Sequence, residues 1–68
     1  MDVYVVVGCK GYMGGEVYGV SAKLQGAESI RSDAAKRLAT VNLPDDPDGY
    51  RYFYDRMTIV NVELMDLD

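Results

Sequence analysis

The chain has 68 residues, a formal net charge of −4, one cysteine and no histidine. This length allows a single domain over residues 1–68, and the composition excludes an internal disulfide and the common Cys/His zinc sets, so we expect no metal and no other cofactor. The charge is uneven, with a net of +1 in residues 1–40 and −5 in residues 41–68, which argues against direct nucleic-acid binding because phosphates need a basic surface.

The first predicted element is a strand from Asp2 to Cys9. It is rich in β-branched residues, and the side chains on both of its faces are apolar. Such a strand is typical of the middle of a sheet that is covered on both sides. We expect Cys9 to be a buried small hydrophobe, because the chain has no histidine to activate it as a nucleophile.

A glycine-rich turn and a second strand follow. Gly11 to Gly15 predicts the turn and Glu16 to Leu24 alternates as a strand does, so the first two strands are predicted to form a hairpin. The motif Gly8-Cys9-Lys10-Gly11-Tyr12-Met13-Gly14 resembles the phosphate-binding turn of dinucleotide-binding domains such as dihydrodipicolinate reductases. A helix would have to follow that turn, whereas residues 16–20 are typical of a strand, so we expect no cofactor here.

The hydrophobic period changes in the middle of the chain and predicts a helix. Apolar residues recur at three- and four-residue steps at Ala27, Ile30, Ala34, Leu38 and Val41. The start of this helix stays open between Ala27 and Asp33, because Ser29 or Ser32 could cap a shorter helix.

An acidic loop and an aromatic cluster come next. Residues 42–49 contain two prolines together with Asp45, Asp46 and Asp48, and they predict a solvated turn, since the alternating ligands of a calcium loop are absent. Residues 50–54 are Tyr-Arg-Tyr-Phe-Tyr, which we expect to be extended or to form one helical turn. Two alternatives stay open for these rings, since they could form a protein interface or cap the small core.

Met57 to Leu67 predicts the last strand. A right-handed crossover through the helix would place it beside the first strand. The expected fold is therefore α+β, of type ββαβ, with a three-stranded antiparallel sheet in the order 2-1-3 and one helix packed on one face. One helix covers only one face, and we expect the uncovered face to carry Tyr4 and Val6.

Four segments of the chain resemble small ββαβ proteins encoded by bacteriophages. They are Val3-Tyr4-Val5-Val6-Val7-Gly8, Gly15-Glu16-Val17-Tyr18-Gly19-Val20-Ser21, Ala34-Ala35-Lys36-Arg37-Leu38-Ala39 and Thr58-Ile59-Val60-Asn61-Val62-Glu63-Leu64. The resemblance implies an accessory factor that binds and inhibits a host enzyme or a defence system, as anti-CRISPR proteins do. It carries over no individual functional residue.

These features favour a protein-binding inhibitor or modulator that occludes a surface of a larger host protein. An enzyme is disfavoured because there is no histidine and no convincing catalytic pair. We expect a cytoplasmic location, which would be the cytoplasm of the bacterial host if the chain is phage-encoded as the resemblance implies. We expect no membrane partner, because no stretch approaches the roughly 20 apolar residues of a membrane span. The acidic half suits a partner with a basic surface.

Nine candidate partner-binding residues follow from this interpretation: Tyr4, Val6, Asp45, Asp46, Asp48, Tyr50, Tyr52, Tyr54 and Asp55. Two other functions stay open. One is an obligate homodimer whose exposed sheet faces pack together, and the other is an acidic mimic of DNA.

Overall fold

The computed structural model describes residues 1–8 and 16–64. The predictions for Cys9, for the glycine motif and turn up to Gly15, and for the end of the last strand at residues 65–67 lie outside the described residues. The elements are β1 (Asp2–Gly8), β2 (Val17–Ser21), α1 (Leu24–Asn42), α2 (Gly49–Arg56) and β3 (Met57–Glu63).

The predicted sheet is confirmed. Its order is β2-β1-β3, and β1 is antiparallel to both of its neighbours. At the centre of the sheet, Val5 lies opposite Val20 on one side and Val60 on the other. Hydrogen bonds between Met1 and Leu64 extend the pairing of β1 with β3 by one more residue pair. The most apolar strand is therefore the middle one, as its sequence indicates.

A bulge interrupts the alternation of β2. Val6 pairs with Gly19 and Val7 with Val17, so the register shifts by one residue at Tyr18. Tyr18 packs against the core, and a Cβ placed on Gly19 would lie 2.8 Å from Cγ2 of Ile30 in α1. Both residues therefore face the helix, as the two residues of a bulge do. The prediction of strict alternation from residue 16 to 24 is wrong for this reason.

The helix begins at Leu24, one turn before the predicted range of Ala27 to Asp33. The strand ends at Ser21, whose Oγ accepts the backbone N–H of Lys23 at 3.1 Å and so turns the chain into the helix. Neither Ser29 nor Ser32 is the cap. The first turn of α1 packs closely against the end of β2, since a Cβ on Gly26 would collide with Oγ of Ser21.

The buried stripe of α1 is built from small residues. Ala27, Ala34 and Ala35 are buried, and Ile30 and Leu38 are partly buried against the same cluster. Alanine side chains let the helix backbone approach the sheet and α2 closely. Val41, which the periodicity placed on this stripe, is instead 78% exposed and lies at the end of the helix.

The second helix supplies the largest core side chain. Residues 49–56 form two helical turns, more than the one turn expected, and Phe53 is fully buried. The core cluster consists of Val6, Ala27, Ala34, Ala35, Phe53 and Met57, with Tyr4 packed against it. Val6 is fully buried on the covered face, so the prediction that Tyr4 and Val6 lie on the uncovered face is wrong. Both faces of β1 are apolar, and the strand alone does not reveal which one meets the helices.

Phe53→Ala tests this core. We expect a loss of about 3–5 kcal/mol in the free energy of unfolding, because the change opens a cavity at the point where α1, α2 and the sheet meet. Urea denaturation followed by circular dichroism measures it. The neighbouring Tyr52→Ala is the control and should cost under about 1 kcal/mol, since Tyr52 is partly in water. Equal losses in the two variants would contradict this assignment of the core.

Candidate functional site

The sheet face turned away from the helices is made almost entirely of valine. β1 contributes Val3, Val5 and Val7, and the register aligns the side chains of its neighbours with these. We call this surface the valine face: Val3, Val5, Val7, Val17, Val20, Val60 and Val62. Neither α1 nor α2 covers it.

Several of these side chains are open to water. The exposed fraction is 59% for Val17, 54% for Val20, 41% for Val60 and 36% for Val62. Val3 is buried, although it does not belong to the core cluster. Leu64 and Met1 extend the exposed apolar surface at one end of the sheet.

The described strands place no charged side chain on the valine face. Asp2 and Glu63 lie opposite one another in the sheet. Each is two residues from Tyr4 or Asn61, whose side chains face the helices, so Asp2 and Glu63 lie on the helix side as well. Thr58, opposite Val7, is the polar residue of the face in these strands. An uncharged apolar sheet surface of this kind marks an interaction site more often than a lone exposed apolar residue does.

The sequence carried a signal that could have identified this face. The bulky side chains Tyr4, Ile59 and Met57 share one side of the sheet, and this side holds the core. The opposite side carries valine on every strand. Large side chains fill the space between a sheet and a helix, whereas uniform valines make a flat surface suited to another flat surface.

The second candidate surface lies in the helical layer. Asp45, Asp46 and Asp48 are exposed in the loop between the helices, and Asp55 is exposed on α2. A hydrogen bond within the loop stabilises its conformation, because Oδ1 of Asp46 accepts the backbone N–H of Asp48 at 2.8 Å. Together with Tyr52 these residues form what we call the acidic surface: Asp45, Asp46, Asp48, Tyr52 and Asp55. These five of the nine predicted residues are thus exposed on the loop and on α2.

Tyr54 has a structural role between the helices. Nε and Nη2 of Arg31 donate hydrogen bonds to the backbone oxygen of Tyr54 at 3.1 and 2.9 Å, and Cζ of Arg31 lies 4.0 Å from the centre of its ring. The same oxygen accepts the N–H of Met57 at the end of α2. A cation at a helix C-terminus is favourable because it faces the negative end of the dipole. Arg31 therefore joins α1 to the end of α2.

Tyr50 is also held against α1. Its hydroxyl lies 3.0 Å from Oγ of Ser32, and its ring centre is 5.5 Å from that of Tyr54. Tyr52 points outward, with Cζ of Arg56 3.6 Å from the centre of its ring. Phe53, Tyr50 and Tyr54 therefore help to build the fold, whereas Tyr52 is exposed, so an interface role stays a prediction for Tyr52.

Metal sites and membrane-spanning helices are not found in the part of the chain that the structure describes. Within residues 1–8 and 16–64, no three Cys, Asp or Glu side chains are grouped so that they could hold a metal ion. No helix in this part of the chain is long and apolar enough to cross a membrane. No protein-family model, curated protein or solved structure matches the chain. The valine face and the acidic surface are therefore the candidate functional sites.

Arg31→Met tests the junction of the helices. It removes two hydrogen bonds and a ring contact while keeping most of the apolar stem, and we expect a loss of about 1–2 kcal/mol in unfolding free energy. Arg37→Met, at an exposed position of the same helix, is the matched control and should change stability by less than about 0.5 kcal/mol. Urea denaturation measures both variants, and equal stabilities would show that Arg31 does not join the helices.

Proposed function

We propose that this chain is a protein-binding module without catalytic activity. The valine face is the observation that supports this most strongly. Burial against another polypeptide removes apolar surface from water and is favourable by about 25 cal/mol per Å². A flat face of this kind offers no cleft around a small substrate, and small-molecule sites are concave.

The finer form of the proposal is a phage-encoded inhibitor or modulator that occludes a surface of a larger host protein in the bacterial cytoplasm. The resemblance to phage ββαβ proteins supports this role. The acidic surface supports a partner with basic side chains, because complementary charge steers association and sets orientation. Tyr52, which has the guanidinium of Arg56 on one face of its ring, would add an aromatic contact through its exposed part.

Affinity capture from a bacterial lysate, with the chain immobilised, tests the role of the acidic surface. The informative variants are Tyr52→Ala and the pair Asp45→Asn/Asp46→Asn. Asparagine keeps the Oδ1 acceptor that orders the loop, so the pair removes charge without removing the turn. We expect recovery of the partner to fall at least about tenfold with either change, and to fall with rising salt for the wild type.

The controls are chosen to separate binding from folding. Asp33→Asn removes one exposed acid from α1 and should leave recovery unchanged. Tyr54→Ala is unsuitable as a binding variant, because Tyr54 packs beneath Arg31. Recovery of the same proteins by the wild type and by both acidic-surface variants would exclude this surface. If the wild type captures nothing beyond the bare resin, the proposed binding of a larger host protein is wrong.

A further inference from the structure

We infer that a second copy of this chain covers the valine face, in a two-fold dimer whose sheets pack face to face. This inference rests on the proposed function, since it names the polypeptide that occupies one of its surfaces. The larger partner would then bind the acidic surface in the helical layer. Three properties of the described residues support self-association at this face.

The first property is charge. The chain carries −4 overall, so two copies would repel one another if their acids met. The acidic surface belongs to the helical layer, on the opposite side of the sheet from the valine face. Two copies stacked through their valine faces keep their acidic surfaces apart on the outside. A partner with a basic surface finds no acid to pair with on the valine face.

The second property is area. A three-stranded face about seven residues long measures roughly 23 by 14 Å, from the rise along a strand and the spacing between strands. Two such faces in contact bury on the order of 600–1,000 Å² in total, which is below the roughly 1,200–2,000 Å² of stable specific interfaces and in the range of weak, transient ones. We therefore expect a dimer that dissociates in the micromolar range, and not a permanent one.

The third property is the small core of the monomer. Three of its six core side chains, those of Ala27, Ala34 and Ala35, are alanine methyl groups. A domain of this size buries only about 60% of the surface that its unfolded chain exposes, and oligomerisation is a common way to add burial. The valine layer of a second copy would bury the other face of the sheet, so that both faces would be covered by apolar contacts.

The geometry also suits two-fold symmetry. An isologous interface needs a surface that is complementary to itself. The valine face meets this condition because β-branched side chains of one size cover all three strands. Val5 is central, lying between Val20 and Val60. The two-fold axis would pass near Val5, with the sheets about 10 Å apart and inclined by about 30°.

Sedimentation equilibrium between about 1 and about 300 µM tests the inference. We expect the weight-average mass to rise from 7.5 kDa toward twice that value. Val60→Thr/Val62→Thr keeps the β-branched shape while replacing two methyl groups by hydroxyls, and should weaken the dimer at least about tenfold. Val20→Thr is a second variant, on the other edge strand. Val41→Thr makes the same change on the exposed end of α1 and should have no effect.

Nuclear Overhauser contacts in a mixture of isotope-labelled and unlabelled chains locate the interface. We expect contacts between valine methyl groups of the two copies, centred on Val5 and Val60. Circular dichroism confirms that each variant is folded before it is compared. A monomer throughout the concentration range, a dimer insensitive to both threonine variants, or contacts confined to the backbone edge of β3 would each overturn the inference.

The outcomes also separate this inference from the proposed function. A monomeric chain that still captures a larger protein through either surface would remove the dimer and leave the binding module standing. A valine-dependent dimer that captures nothing would leave the inference intact and remove the larger partner.

Discussion

The structure depends on one constraint: a sheet with two apolar faces is covered by a single layer of helices. The central strand β1 places Tyr4 and Val6 on one side and Val3, Val5 and Val7 on the other. The helical layer buries the first set against Phe53 and Met57. Of the second set, Val3 is buried and Val5 and Val7 are half-buried, and the valines of the edge strands beside them are exposed to water. Burial of apolar surface is the dominant favourable term in folding and association, so the uncovered face is where this chain has most to gain by binding.

The helical layer is thin because its contacts are made by small side chains and one inserted ring. Alanines on α1 let the backbones come close, and Phe53 fills the space that the alanines leave. Close approach also brings Arg31 within reach of the Tyr54 carbonyl, where its charge meets the end of α2. A short helix such as α2 is marginal alone, and tertiary contacts of this kind decide that it forms. Phe53 is buried and Tyr54 is half-buried by these contacts, while Tyr50 and Tyr52 stay exposed.

The topology could be predicted from the sequence, but the face of the sheet that the helices cover could not. The order of elements and the handedness of the crossover determine a sheet in which β1 lies between β2 and β3. Three features escaped prediction because they depend on tertiary contacts. The bulge at Tyr18 breaks the alternation by one residue, Ser21 turns the chain early into α1, and Phe53 draws residues 49–56 into a helix. The open face was misassigned because periodicity shows which residues share a face of the strand but not which face the helices bury. Side-chain size, with the bulky residues on one side and valines on the other, is the better guide.

Charge and apolar surface are segregated among the described residues, and this segregation makes the two proposed binding events compatible. If acids bordered the valine face, burial of that face would require either their desolvation or a basic partner. The strand acids Asp2 and Glu63 point to the helix side instead, and the loop acids lie in the helical layer. Association through valine is therefore governed by apolar area and is weakly sensitive to salt. Association through the acidic surface is governed by charge and weakens as salt screens it. The two proposed associations therefore respond differently to ionic strength because of the position of a few carboxylates, and occupation of one surface does not oppose occupation of the other.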